Sequence, residues 1–194
     1  MQAQKARPRR LEASARRREI IEASTRLIAE RGYRGVSLDQ IAEACGITKQ
    51  GLLHHFPSKA ELLVAILEHR DEVDLAEAAE HLPRSQTTAG FRDEISALAQ
   101  RNLTQPGIVQ LYAVLSSEAL DPEHPAHEYF RRRLAWSRKL LREGAETWHP
   151  DPEGFAIEVL SFMDGLQLNW LRDPTIDFEA RAMGFVDRIL AEHL

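Results

Sequence analysis

One cysteine, Cys45, stands among 194 residues, which excludes a disulfide framework within one chain. On an apolar helical face it reads as a small buried hydrophobe, because a reactive thiolate needs exposure beside positive charge. A reducing, cytoplasmic setting fits. No apolar run approaches the ~20 residues of a membrane span, and the basic N-terminus lacks the apolar core of a signal peptide. Neither export nor a membrane partner is therefore expected. Gly-rich phosphate loops are missing, and nothing places a histidine against Ser116 or Ser117, so no catalytic residue and no cofactor are expected. Metal ligation is not expected either. His54 and His55 are neighbours that point about 100° apart on a helix, and Glu123, His124, His127 and Glu128 read as a solvated helix start with His124 as a cap before Pro125. Sustained period-two alternation, the mark of a half-buried strand, is also absent.

What remains is a globular composition, 43% hydrophobic and 28% charged, long enough for a small domain joined to a larger one. The net charge of −5 is unevenly spread. Residues 1–59 hold 12 Lys and Arg against 6 Asp and Glu, whereas residues 60–194 hold 13 against 24. A basic head on an acidic body is the footprint of a protein that meets phosphate with one end.

Within the head, Ser37 to Phe56 reads SLDQIAEACGITKQGLLHHF. Ile41, Ala42 and Cys45, then Ile47, Leu52 and Phe56, recur at helical spacing on either side of Gly46, where the chain must turn back. Ser37 with Gln40 makes a capping box, Thr48 can cap the second helix, and Ser58 with Glu61 repeats the box for a third. Two helices this short do not stand alone, and such a pair presents its second member outward. That member carries Lys49, Gln50, Gly51, Leu53 and His54: donors and acceptors for base edges, a glycine for close approach and a helix N-terminus for phosphate. A helical hairpin with a merely solvated polar face is the competing reading.

The run ITKQGLLHHFPSKAELL resembles the signature of the TetR family of bacterial transcriptional regulators, through Gly46, Ile47, Thr48, Lys49, Leu52, Phe56, Ser58, Lys59, Leu62 and Leu63. The resemblance covers residues 16–67, and DGLQLNWLRDP at 164–174 resembles a stretch of the ligand domain in one branch of that family. One departure is Leu53, where the family often has tyrosine; leucine gives up a phosphate hydrogen bond and can pack on a thymine methyl. Together, resemblance and helix geometry give a DNA-binding set of Arg17, Ser37, Thr48, Lys49, Gln50, Gly51, Leu53, His54, His55 and Lys59, with Lys59 at the backbone by resemblance. The resemblance also implies a small-molecule pocket in the body.

The expected architecture is all-α with nine helices: a disordered basic arm over 1–13, a helix-turn-helix head over 14–59 whose first helix starts near Ser14, and a ligand-binding and dimerisation body over 60–194. Breaks at 83–88, 105–107, 121–125 and 149–152 divide the body, whose helices are expected at 88–103, 107–120, 125–148, 152–172 and 176–193. Tyr112, Ser116, Trp136, Met163, Asp164 and Gln167 are polar or bulky side chains on faces expected to converge, and are the candidate pocket. The helix over 152–172 is apolar on two sides, so one side is expected to meet a second copy. The candidate interface is Phe155, Val159, Leu160, Phe162, Leu168 and Leu171, with Phe185 and Ile189 of the last helix. The expected function is a ligand-responsive regulator, a repressor released from a palindromic double-stranded DNA operator by a small-molecule inducer. Two other classes stay open on the sequence: a helical homodimeric interaction protein, and a helical enzyme or metal protein.

Overall fold

The computed structural model describes residues 7–81 and 87–191, with side chains described at 13–73 and 87–191. Nine α-helices and no strand occur among the described residues: α1 (Arg7–Arg31), α2 (Leu38–Ala44), α3 (Lys49–His55), α4 (Lys59–His81), α5 (Thr88–Thr104), α6 (Pro106–Glu118), α7 (His127–Ala145), α8 (Pro152–Arg172) and α9 (Phe178–Ala191), with a 3-10 turn at Tyr33–Gly35.

Side-chain caps set most of the starts. The Ser37 hydroxyl accepts from the Gln40 N–H at 3.2 Å while the Gln40 side chain accepts from the Ser37 N–H at 2.8 Å, closing the capping box. Thr48, Ser58, Thr87 and Asp151 accept in the same way from Gly51, Glu61, Gly90 and Gly154. Gly32 and Gly46 supply the two left-handed turns, at φ of 70° and 64°, which L side chains resist. The expected start of α1 near Ser14 is corrected to Arg7. Proline is tolerated in a first helical turn, and Arg, Leu, Glu and Ala all favour helix, so Pro8 opens α1 instead of blocking it. Residues 7–13 of the expected arm are thus helical, and residues 1–6 lie outside the described ones.

Two apolar clusters hold the chain. The first gathers Ile20, Ile28, Tyr33, Ile41, Leu52 and Phe56 of the head with Leu62 and Ile66 of α4, and with Ile108, Leu111 and Leu115 of α6. The second joins Phe91, Val109, Phe155, Val159, Met163, Trp170, Phe178 and Val186. Adjacent residues of α6, Ile108 and Val109, therefore face different cores, and the first core does not stop at residue 59. Helix α6 lies on α1, α5 on α9 and α7 on α8. At the α6–α1 crossing a Cβ on Gly107 would stand 2.7 Å from the Ile28 carbonyl oxygen.

Helix α8 divides its apolar residues as its two stripes predict, but not all of those assigned to the interface lie on the outer one. Phe155 and Val159, each 2% exposed, are corrected to the chain's own core, where Phe155 meets the rings of Phe91 and Trp148 at 5.0 Å. They fall on the same face as Met163 and Leu166 and so turn inward. Ile157 and Leu168 face out, 46% and 38% exposed, with Leu160 half-buried. Phe162 stacks on Phe185 of α9 at 3.9 Å and 6°, and Leu171 and Ile189 are half-buried against the second core.

Candidate nucleic-acid interface and body cluster

Helix α3 is seated by two side chains. Leu52 and Phe56 are fully buried, each supplying on the order of 1.5–3 kcal/mol of apolar burial. The opposite face is left to solvent: Thr48, Lys49, Gln50 and His54 are exposed, and Gly51 and Leu53 half-buried. Thr48, Gln50, Gly51, Leu53, His54 and His55 line an open groove there. With no side chain, Gly51 forms the floor, and its N–H is already taken by the Thr48 hydroxyl at 3.0 Å.

Each of the three Lys and Arg residues of the candidate set has an internal contact. Lys49 Nζ pairs with Asp39 of α2 at 2.9 Å, both side chains being more than half exposed, so the pair contributes little to stability and a phosphate can compete for the lysine. Arg17 Nη1 donates to the His55 carbonyl at 2.8 Å, and its guanidinium lies 4.0 Å over the Phe56 ring. It thereby caps the C-terminal end of α3 with a positive charge. Lys59 departs from the reading given it by resemblance. Its ammonium donates to the carbonyls of Tyr33 at 2.9 Å and Val36 at 2.7 Å, so two of its three donors pin the 3-10 turn and the chain entering α2. Burial pulls this ammonium below its ordinary range. His55 is likewise lowered, by burial first and then by His54, Arg17 and Arg16.

In the body the sequence-predicted pocket residues separate. Met163 belongs to the second core, and Trp136 stands 39% exposed on α7; neither joins a common site. Ser116 donates to the Ala113 carbonyl of its own helix at 2.9 Å, and Gln167 is half-buried. Tyr112 enters a cluster that sequence reasoning missed. Arg133 of α7 donates through Nε to both Asp71 oxygens of α4 at 3.1 Å and through Nη1 to the Tyr112 hydroxyl at 3.1 Å, and its guanidinium lies 4.6 Å over the Tyr112 ring. Tyr129, one turn before Arg133, donates to Asp71 at 2.7 Å. Burial pushes both phenols up. Burial alone would lower the guanidinium, and Tyr112 and Asp71 more than offset that, so it is held above its ordinary range.

Asp164 acts on this cluster without touching it. The residue is open to solvent on one side, yet the packing around its carboxyl raises it above the usual carboxylate range, opposed by Arg133. The i, i+4 spacing of Tyr129 and Arg133 put both on one helical face, but nothing local could bring them to Asp71, some sixty residues earlier. The remaining Arg and Lys residues of α7 are paired as well, Arg131 with Glu128, Arg132 with Glu68, Lys139 and Arg142 with Glu143, and the part-buried Arg138 with Glu153 of α8.

Two short capped helices, the second seated by buried Leu52 and Phe56 and turned polar side outward within a basic head, make the chain a helix-turn-helix transcriptional regulator. Residues 20–66 match the model of bacterial regulatory proteins of the tetR family. The HTH-type transcriptional regulator TtgR of Pseudomonas putida is 36% identical over 187 residues, spanning 84% of this chain and 83% of TtgR. The chain belongs to the TetR family. Similarity to the HTH-type transcriptional regulator RutR of Escherichia coli is more local, 38% over 63 residues, spanning 32% of this chain and 30% of RutR. The fold extends over the whole body: a transcriptional regulator from Rhodococcus sp. Rha1 superposes with a TM-score of 0.75 over 91% of this chain and 96% of that one, at 21% identity.

Proposed function

We propose that the chain works in the cytoplasm as a homodimer on a palindromic DNA operator, acts as a repressor, and is released by a small-molecule inducer bound in the body. One observation carries the reading: the same chain holds an outward-facing recognition helix and, on α8, an outward apolar face at Ile157 and Leu168. A seven-residue helix touches too few bases to select a site alone, whereas two related by a two-fold axis read two half-sites. The apolar face supplies the means of pairing, with Leu160 and the Phe162–Phe185 stack at its margin. Lys49, Gln50, Leu53 and His54 face the bases, with Thr48, Arg17 and the helix N-terminus toward phosphate.

Leu168→Glu tests this. The variant is expected to sediment as a folded monomer and to lose operator retention by at least about tenfold, since a charge cannot be buried there unpaired. A wild-type monomer at micromolar concentration overturns the proposal.

The inducer is proposed to carry positive charge or hydrogen-bond donors. Asp164 has no hydrogen-bond or ion-pair partner among the described residues, and a donor would satisfy a carboxyl whose desolvation Arg133 only partly offsets. Tyr112, Ser116 and Gln167 are the polar groups proposed around it. Release of labelled operator by a panel of organic cations, on wild type and Asp164→Asn, measures this preference, and an identical response from both removes Asp164 from the pocket.

A further inference from the structure

We infer that Gly107 is a positioning residue for operator recognition: it fixes how closely α6 lies on α1, and so the angle at which the body holds the head. The inference rests on the proposed dimeric reading of an operator. Gly107 does not have a positive φ, so backbone freedom does not explain a glycine there; space does. A Cβ at this position would stand 2.7 Å from the Ile28 carbonyl oxygen and 3.0 Å from both Cα and the carbonyl oxygen of Ala29. These are backbone atoms of α1, not the ends of flexible side chains. The Ile28 carbonyl also accepts from the Gly32 N–H at 2.9 Å, the bond that closes the last turn of α1, so it cannot swing aside freely. On the other side of the crossing, Gly32 faces the Gln110 side-chain oxygen of α6, 3.3 Å from where its own Cβ would lie. Gly107 on α6 therefore lets the two helices touch, and Gly32 lies just beyond the end of α1 beside the crossing.

Helix α6 also reaches the body cluster. Tyr112 lies five residues beyond Gly107, ~7.5 Å along the helix axis, and holds the Arg133 guanidinium through its hydroxyl and its ring. Between these points Ile108 and Leu111 are embedded in the first core and Val109 in the second. One rigid helix thus has the head at one end and the Asp71–Arg133–Tyr112 group further along. The packing at the crossing sets where α1 and the recognition helix stand relative to a second copy, so half-site separation is the quantity that a change at Gly107 alters.

The test needs no inducer. Wild-type protein selects a palindrome from a random duplex library, and its half-sites are then respaced by one and two base pairs in each direction. Gly107→Ala is expected to remain a helical dimer, to bind the native spacing at least tenfold more weakly, and to move its best spacing by one base pair or more. Retention on long non-specific DNA at low salt should be unchanged, because the surface of each head is unchanged. A loss that is uniform over all spacings, with the optimum unmoved, overturns the inference and leaves Gly107 a packing residue. Should Gly107→Ala not fold, Gln110→Ala decides, since it trims an exposed side chain at the same crossing: a broadened spacing profile supports the inference and a wild-type profile overturns it. A wild-type protein indifferent to spacing sinks the operator reading and this inference with it.

Discussion

Lys59 shows how a single side chain changes meaning once its surroundings are known. Its position in the family signature marks it for the DNA backbone, yet two of its donors are spent on the carbonyls of Tyr33 and Val36. Lys59→Met is therefore expected to cost about 2 kcal/mol of stability, from two charge-assisted bonds that are only partly buried, read from denaturant midpoints at constant m. Asp164 makes the converse case, an exposed residue whose carboxyl is still raised above its ordinary range by the packing beside it. Between the ordinary and the raised value the native state binds more protons than the unfolded chain, so stability falls as pH rises through that window. Asp164→Asn removes the charge and should melt higher than wild type at pH 7, with the difference closing as pH falls below the ordinary aspartate range. An equal difference at both ends of a pH series would show that desolvation of the carboxylate is not the cause.

At the scale of the helix, the parts most readable in advance are those whose information is local. Ser37 and Gln40 are three residues apart, and the capping box they form is present; Gly46 takes the left-handed turn between α2 and α3. Where α1 begins was less readable, because Pro8 forbids a helical interior but suits a first turn, and the two readings differ only in which side of the proline the helix lies. Helix α8 carried enough periodicity to show two apolar stripes, but not which faced the core. Phe155 and Val159 went to the wrong side on that account. The link from α4 to α7 was not legible at all, since Asp71, Tyr129 and Arg133 are brought together only by the packing of the whole body. Tyr129→Phe is expected to cost about 1–2 kcal/mol, less than the loss of a whole charge partner, because Asp71 retains Arg133. Asp71→Ala should cost more, about 2–3 kcal/mol, somewhat below the 3–5 of a fully buried pair, since the two side chains are 23% and 28% exposed. Thermal unfolding of the two variants side by side gives the order, and Tyr129→Phe as the more damaging change would contradict the assigned geometry.

For the molecule as a whole, the division into basic head and acidic body was plain from charge alone, while the division of the apolar interior was not. Charge is counted along the chain, but a core is shared by whatever folds onto it, and Ile108, Leu111 and Leu115 lie forty or more residues beyond the head whose interior they complete. A grafting experiment meets this fact directly. Residues 1–81 fused to an unrelated dimeric partner would keep the recognition helix yet leave the first core without the Ile108, Leu111 and Leu115 side chains by which α6 lies on α1, whereas a graft that also brings 106–118 would restore the cover. The first chimaera is expected to express as an aggregation-prone, protease-sensitive product and the second to remain intact under limited proteolysis. New specificity in such a regulator is then more safely obtained by repainting α3 in place than by exchanging modules, because the smallest transplantable unit is discontinuous in the gene.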